Sequence, residues 1–211
     1  MRRYGFVVLA TLLLGYAAPA FALLGPETSL GARIGGGSFQ GDTISGQSID
    51  FKNPTSVGVV AGIRQERIGG ELSVDWIKTN VEGDVRLAEA MLIPILLTAQ
   101  FHLLDPGATQ IDPYLGVGVG YYLNSANTSS EAKKKFGSDF KAELDNAVGF
   151  HFGAGVNFKA TTAVVFALDL RYALVSTDLT QKGSGASAVG AETVSLNGLM
   201  FTAGVKYLFP K

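Results

Sequence analysis

Apolar and polar residues alternate with a period of two in eight segments of this chain. The clearest is VGFHFGAGVNF, residues 148–158. Val148, Phe150, Phe152, Ala154, Val156 and Phe158 share one parity, and Gly149, His151, Gly153, Gly155 and Asn157 the other. A strand points successive side chains to opposite faces, so this predicts one greasy face and one small, wettable face. The same alternation sets Val57, Val59, Ala61 and Ile63 against Gly58, Val60, Gly62 and Arg64, and Leu72, Val74 and Trp76 against Glu71, Ser73 and Asp75. It sets Leu115, Val117, Val119 and Tyr121 against three glycines and Tyr122, and Val164, Phe166, Leu168, Leu170 and Tyr172 against Val165, Ala167, Asp169 and Arg171. The last segment sets Leu199, Phe201, Ala203, Val205, Tyr207 and Phe209 against Met200, Thr202, Gly204, Lys206 and Leu208. Weaker alternation around Leu30–Ile34 and Leu92–Leu103 brings the expected strands to eight.

The connections alternate long and short: long near 39–56, 79–89, 123–146 and 175–194, short near 65–70, 104–110 and 159–162. Gly69-Gly70 and Asp105-Pro106-Gly107 supply turn chemistry for the first two short ones. Four long loops and three short turns suit an antiparallel outer-membrane barrel with long external loops and short periplasmic turns.

Composition says which solvent meets the greasy face. The 211 residues are 47% hydrophobic and only 17% charged, with 27 glycines. Arg2 and Arg3, the apolar run Phe6–Ala18 and the small residues of Ala20-Phe21-Ala22 form a secretory signal peptide over 1–22, with cleavage expected after Ala22. An uncleaved anchor is the alternative. The expected mature chain, 23–211, has no run near the ~18 apolar residues a membrane helix needs. Its longest, Met91–Ala99, contains Pro94. A closed barrel is the other way to span a bilayer, because it satisfies every backbone group between strands. The predicted fold class is therefore all-β: a single eight-stranded antiparallel transmembrane β-barrel of the bacterial outer membrane. A secreted lipocalin-like barrel with the apolar face inward is the rival, but the second residue set is too poor in charge to serve as a soluble exterior.

On this reading the second set lines the lumen. It includes Arg33, Arg64, Glu71, Asp75, Gln100, His151, Asp169, Arg171 and Lys206, whose opposite charges should pair in a narrow, low-dielectric space. They either plug the barrel or line and gate a path. Val60, Leu96, Tyr114, Tyr122 and Met200 are further lumen-lining candidates by parity. Trp76, Phe101, Tyr114, Tyr172 and Tyr207 lie near strand ends and suit interfacial girdles. Pro94 cannot donate to a β-ladder, which makes it a candidate weak point for a lateral opening or simply the start of a strand.

Three segments carry a family resemblance: IPILLTAQFHLLDPGATQIDPYLGVGVGYY (93–122), GFHFGAGVNFKATTAVVFALDLRYALVSTDL (149–179) and the final FTAGVKYLF. With the strand count, they resemble the OmpW family of small outer-membrane proteins over most of the mature chain. One departure is that Pro210 and Lys211 follow Phe209, where the family usually ends on the aromatic residue. The resemblance implies a narrow channel for uptake of small hydrophobic molecules, which enter at the external mouth and leave sideways into the membrane. The aromatic end implies the barrel-assembly machinery as a partner during biogenesis. Outer-membrane lipid and lipopolysaccharide are the other expected partners.

Other functions are less well supported by the residues. A net charge of −1 gives no basic face for nucleic acid. No cysteine and two histidines leave little for a metal site, and no cofactor is expected. A hydrolytic barrel would want a histidine beside a serine and a carboxylate. His151 sits among glycines and His102 falls near the periplasmic end, so no enzyme is expected. A non-transporting structural or adhesive barrel of the OmpX or OmpA type, acting through its loops, is the alternative function. A lumen filled with paired charges and loops extended as a stiff sheet would favour it. In the third loop, Ala132, Phe136, Phe140 and Leu144 recur every four residues, suggesting a short helix, bent at Gly137, that either lids the mouth or is merely solvated. The last loop, 182–192, is small and flexible in composition.

Overall fold

The structure is a computed structural model and describes residues 27–44, 47–83, 86–136, 141–182 and 190–210. The expected signal peptide and most of the last loop lie outside them. The elements are β1 (Glu27–Phe39), β2 (Asp42–Ile44), β3 (Gln47–Gln65), β4 (Ile68–Glu82), β5 (Arg86–His102), β6 (Ile111–Thr128), α1 (Ser130–Phe136), β7 (Lys141–Leu144), β8 (Ala147–Lys159), β9 (Val164–Lys182), β10 (Gly190–Ser195) and β11 (Gly198–Leu208). Eight of them pair antiparallel in the order β3-β4-β5-β6-β8-β9-β11-β1, and β1 pairs β3 to close the barrel. Closure leaves no free edge in the lipid. The short β2, β7 and β10 extend the external rim by pairing with β3 and β9.

The parity of the sequence sets the two faces. Val148, Phe150 and Phe152 of β8 point outward and are exposed in the isolated chain, Phe150 by 63%. Their small neighbours accommodate large side chains from adjacent strands. A side chain on Gly155 would strike the Tyr114 ring, and one on Gly118 would meet His151 Nε2 at 2.6 Å.

Three expectations about the connections are corrected. The tight turn after β3 is Glu66-Arg67, with Glu66 carrying the positive φ of 54°, and Gly69 and Gly70 belong to β4. The expected loops 39–56 and 79–89 are largely strand: β3 starts at Gln47, β4 runs to Glu82 and β5 starts at Arg86. The helix in the third connection is Ser130–Phe136, and Leu144 lies on β7 rather than on a helix; Gly137 and Phe140 lie outside the described residues.

Strands outrun the sequence signal because the alternation changes phase. On β4, Leu72, Val74 and Trp76 turn outward, but beyond them Ile77 and Val81 are the buried apolar residues and exposed Lys78 faces out. On β9, Phe166, Leu168, Leu170 and Leu174 face out, whereas further along Val175 and Leu179 are buried and Ser176 and Asp178 are exposed. Lipid bathes the outer face of the first part of each strand and water that of the second. Above the switch the apolar residues turn inward and form a core with Ile49, Phe51, Leu87, Ala90, Leu92, Val194 and Leu196.

Candidate functional site

A charged layer crosses the lumen below this apolar core. Arg33 of β1 reaches across to β4, donating from Nε and Nη2 to Asp75 at 2.8 and 2.5 Å, from Nη2 to Ser73 at 2.8 Å and from Nη1 to Glu71 at 3.2 Å. Glu71 also accepts from Lys206 at 2.9 Å and Gln100 at 3.2 Å, and Arg171 stands 3.6 Å from it. Arg33 is 4% exposed and Glu71 1%. Charges this buried persist because each is paired and hydrogen-bonded. The cluster ties β1, β4, β5, β9 and β11 together across the interior.

The periplasmic side of this layer is polar. Arg64 donates to Asp112 at 2.7 Å and to the carbonyl of Leu104 at 2.9 Å. His102 Nδ1 donates to Asp112 at 2.9 Å, as a carboxylate partner requires, and Asn157 donates to it at 3.3 Å. The Tyr114 hydroxyl donates to Asp169, with the Lys206 ammonium 5.8 Å from the tyrosine ring. Thr98 hydrogen-bonds His151 Nε2 at 2.9 Å. A pocket of about 440 Å³, counting solvent at its mouth, opens here against Glu27, Arg64, His102 and Asn157. Outside the wall, Arg67 pairs with Asp105 at 2.7 Å, and that hydrogen bond holds the Asp105 carboxyl below its usual range.

The external side of the layer is apolar. Phe39, Ile77, Pro94, Leu96, Tyr122, Ala173 and Met200 line a second pocket floored by Arg33, Asp75 and Arg171, with Ser56 and Thr202 on its wall. It spans about 470 Å³, again counting solvent at the mouth, but the part wide enough for water takes only a few molecules. A larger guest needs flexible walls, and Met200 is the side chain best suited to yield.

Pro94 lines this pocket at an interruption of the β4–β5 ladder. The β4–β5 ladder is continuous from Ile68↔Phe101 to Val74↔Ile95 and resumes at Ile77↔Leu92, so Asp75 and Trp76 are unpaired with Pro94 and Ile93. On their other sides all four are in register: Asp75 and Trp76 with Gly58 and Val57, Pro94 and Ile93 with Tyr122 and Leu123. The gap is confined to the β4–β5 seam, where the missing proline N–H falls.

The structure buries Arg33, Val60, Arg64, Glu71, Asp75, Leu96, Gln100, Tyr114, Tyr122, His151, Asp169, Met200 and Lys206 in the interior, and leaves the Arg171 side chain 14% exposed. It divides them among three layers: Leu96, Tyr122 and Met200 in the apolar pocket, Arg33, Glu71, Asp75, Gln100, Arg171 and Lys206 in the charged layer, and Arg64 in the polar one. Tyr114 is inside the lumen beside Asp169 and is no part of an outer girdle, whereas Phe101 and Tyr207 are exposed on the outer face. Parity alone could have added Ser73, Thr98 and Thr202. Phe39 and Ile77 lie beyond the phase change and carry no such signal, whereas Asp112 and Asn157 share the inward parity of Tyr114 and His151.

A model of the OmpW family matches residues 41–209. Among solved structures, the chain resembles outer membrane protein OprG of Pseudomonas aeruginosa, with a TM-score of 0.75 at 16% identity over 89% of this chain and 97% of that one. It also resembles AlkL, solved in lipid bilayers (0.57, 18% identity, 88% and 90% coverage), and E. coli outer membrane protein W (0.52, 18% identity, 86% and 97%). No curated protein sequence matches the chain significantly.

Proposed function

The chain belongs to the OmpW family of outer-membrane barrels, and from that premise we propose that it is a channel for uptake of small hydrophobic molecules. The observation that carries this reading is the position of the apolar pocket. It lies above a charged floor and beside the interrupted β4–β5 seam. An apolar solute that reaches the pocket meets Arg33, Glu71 and Asp75 below it, and crossing that layer would strip ion pairs of their partners. The seam at Pro94 leads instead to the hydrocarbon, where the solute is most stable. Entry from outside and exit sideways avoids moving apolar surface through the polar periplasmic half.

The test is uptake of a medium-chain alkane or naphthalene by cells lacking the protein and by complemented cells, matched for expression and membrane integrity. Faster uptake with the protein supports the channel, and equal uptake across several probe sizes refutes it.

A structural or adhesive role is the second reading. It is favoured by the cross-lumen ion pairs and by strands that continue above the membrane level as paired sheet, as β7 and β10 do on either side of β9. Under that reading, removal of the external rim abolishes surface attachment while uptake is unaffected by the protein from the start.

A further inference from the structure

Two hydroxyls in the apolar pocket, Ser56 Oγ on β3 and Thr202 Oγ1 on β11, are buried without a hydrogen bond among the described residues. Native proteins seldom leave buried polar atoms unsatisfied, so each such atom asks for an occupant. The register puts the two in one inward row: Ser56 is opposite Gly35 of β1, and Gly35 is opposite Thr202. Gly35 brings the two strands together here without a side chain of its own, since one there would come within 2.7 Å of Thr202 Cγ2. The third polar group is Arg171 of β9, diagonal to Thr202 and opposite Met200. Its ion pair with Glu71 is 3.6 Å long, and its guanidinium makes no hydrogen bond among the described residues. By contrast Arg33, on the same floor, makes four.

We propose that Thr202, Ser56 and Arg171 form a head-group site, so that the preferred cargo is an amphiphile and not a bare hydrocarbon. It would have a medium-length apolar body and one oxygen that accepts hydrogen bonds, as a ketone, ester or carboxylate does. The three side chains offer donors to the pocket, while Phe39, Ile77, Leu96 and Met200 offer it only carbon and sulfur. A hydrocarbon suits the second group and leaves the first unsatisfied. An amphiphile satisfies both. The inference rests on the channel reading above and adds the chemical class of the cargo.

The test compares nonane with 2-nonanone, which have chains of the same length and differ by one acceptor oxygen. Uptake is measured in cells lacking the protein and in cells carrying wild type, Thr202→Val or Ser56→Ala, with the folded fraction of each barrel determined by its heat-modifiable migration. The readout is the protein-dependent ketone rate divided by the protein-dependent alkane rate. The ratio should fall about tenfold in Thr202→Val, the loss expected when a hydrogen bond to a buried group goes unmade. Ser56→Ala should lower it less, and it decides the question if Thr202→Val fails to assemble. A ratio unchanged in the variants, with wild type speeding nonane, overturns the head-group site and leaves the channel standing. Wild type that speeds neither probe overturns both.

Discussion

Trp76 on β4 and Ile93 on β5 stand opposite each other in register but outside the ladder, which stops at Val74↔Ile95 and resumes at Ile77↔Leu92. Both point outward, and their inward neighbours Asp75 and Pro94 border the apolar pocket. The interruption of the ladder and the pocket behind it thus share Asp75 and Pro94.

If this interruption is the exit, Pro94→Val should close it. Valine restores the missing N–H at similar bulk. One ladder hydrogen bond, worth about 1 kcal/mol, would raise the unfolding free energy by that much and bias the seam shut about fivefold. Protein-dependent uptake should fall by a similar factor. Stabilisation without slower uptake would place the exit elsewhere.

Glu71 should be the least replaceable residue of the charged layer, because it accepts from Lys206, Arg33 and Gln100 at once. Glu71→Gln leaves buried cations without their anion and should cost about 3–5 kcal/mol, measured by urea unfolding in lipid vesicles. Adding Lys206→Met should recover part of the loss. An additive double variant would mean that the two charges do not interact.

Two glycines, Gly155 on β8 and Gly70 on β4, should respond differently to alanine. A side chain on Gly155 strikes Tyr114, the donor to Asp169, so Gly155→Ala should destabilise by about 1–3 kcal/mol. At Gly70 the nearest atom to an added Cβ is Ile63 Cγ1 at 3.6 Å, an ordinary contact, and Gly70→Ala should stay within about 0.5 kcal/mol of wild type. Equal midpoints would show that the Tyr114 contact yields freely.

At the periplasmic turns, Arg67→Gln should raise the pKa of Asp105, whose carboxyl the Arg67 hydrogen bond now holds down. A depressed carboxyl contributes stability above its unfolded pKa and loses it as the pH falls through the folded one. Here both partners are fully exposed, so solvent screening should leave the unfolding midpoint flat with pH while carbon-detected NMR shows the titration shift. A midpoint that follows the titration would contradict the exposed placement.

The barrel was legible in the sequence wherever lipid bathes one face, since period-two alternation there has a single meaning. All eight expected strands are present, and the parity of Glu71, Asp75 and Lys206 already aimed them at a common interior. The external halves of β4, β5 and β9 were not legible. There water replaces lipid on the outside, Ile77 and Val81 take over from Val74 and Trp76 as the apolar set, and the change of phase reads as the end of a strand. The turn at Glu66 was missed because a non-glycine residue takes the positive φ while adjacent glycines invite the assignment. The ion pairs were legible only as a set, because parity names a face but not which charge on another strand lies at the same height.

If apolar molecules leave through the β4–β5 seam, locking it covalently should stop them. Because the chain has no cysteine, Trp76→Cys/Ile93→Cys introduces a single possible disulfide, and antiparallel neighbours stand close enough to form it. Uptake of naphthalene is measured before oxidation, after oxidation and after reduction, with Val74→Cys/Ile95→Cys on the intact ladder as the reference. Uptake that stops when the Trp76/Ile93 pair is locked and returns on reduction is the predicted result. Undiminished uptake through a fully cross-linked seam would contradict it.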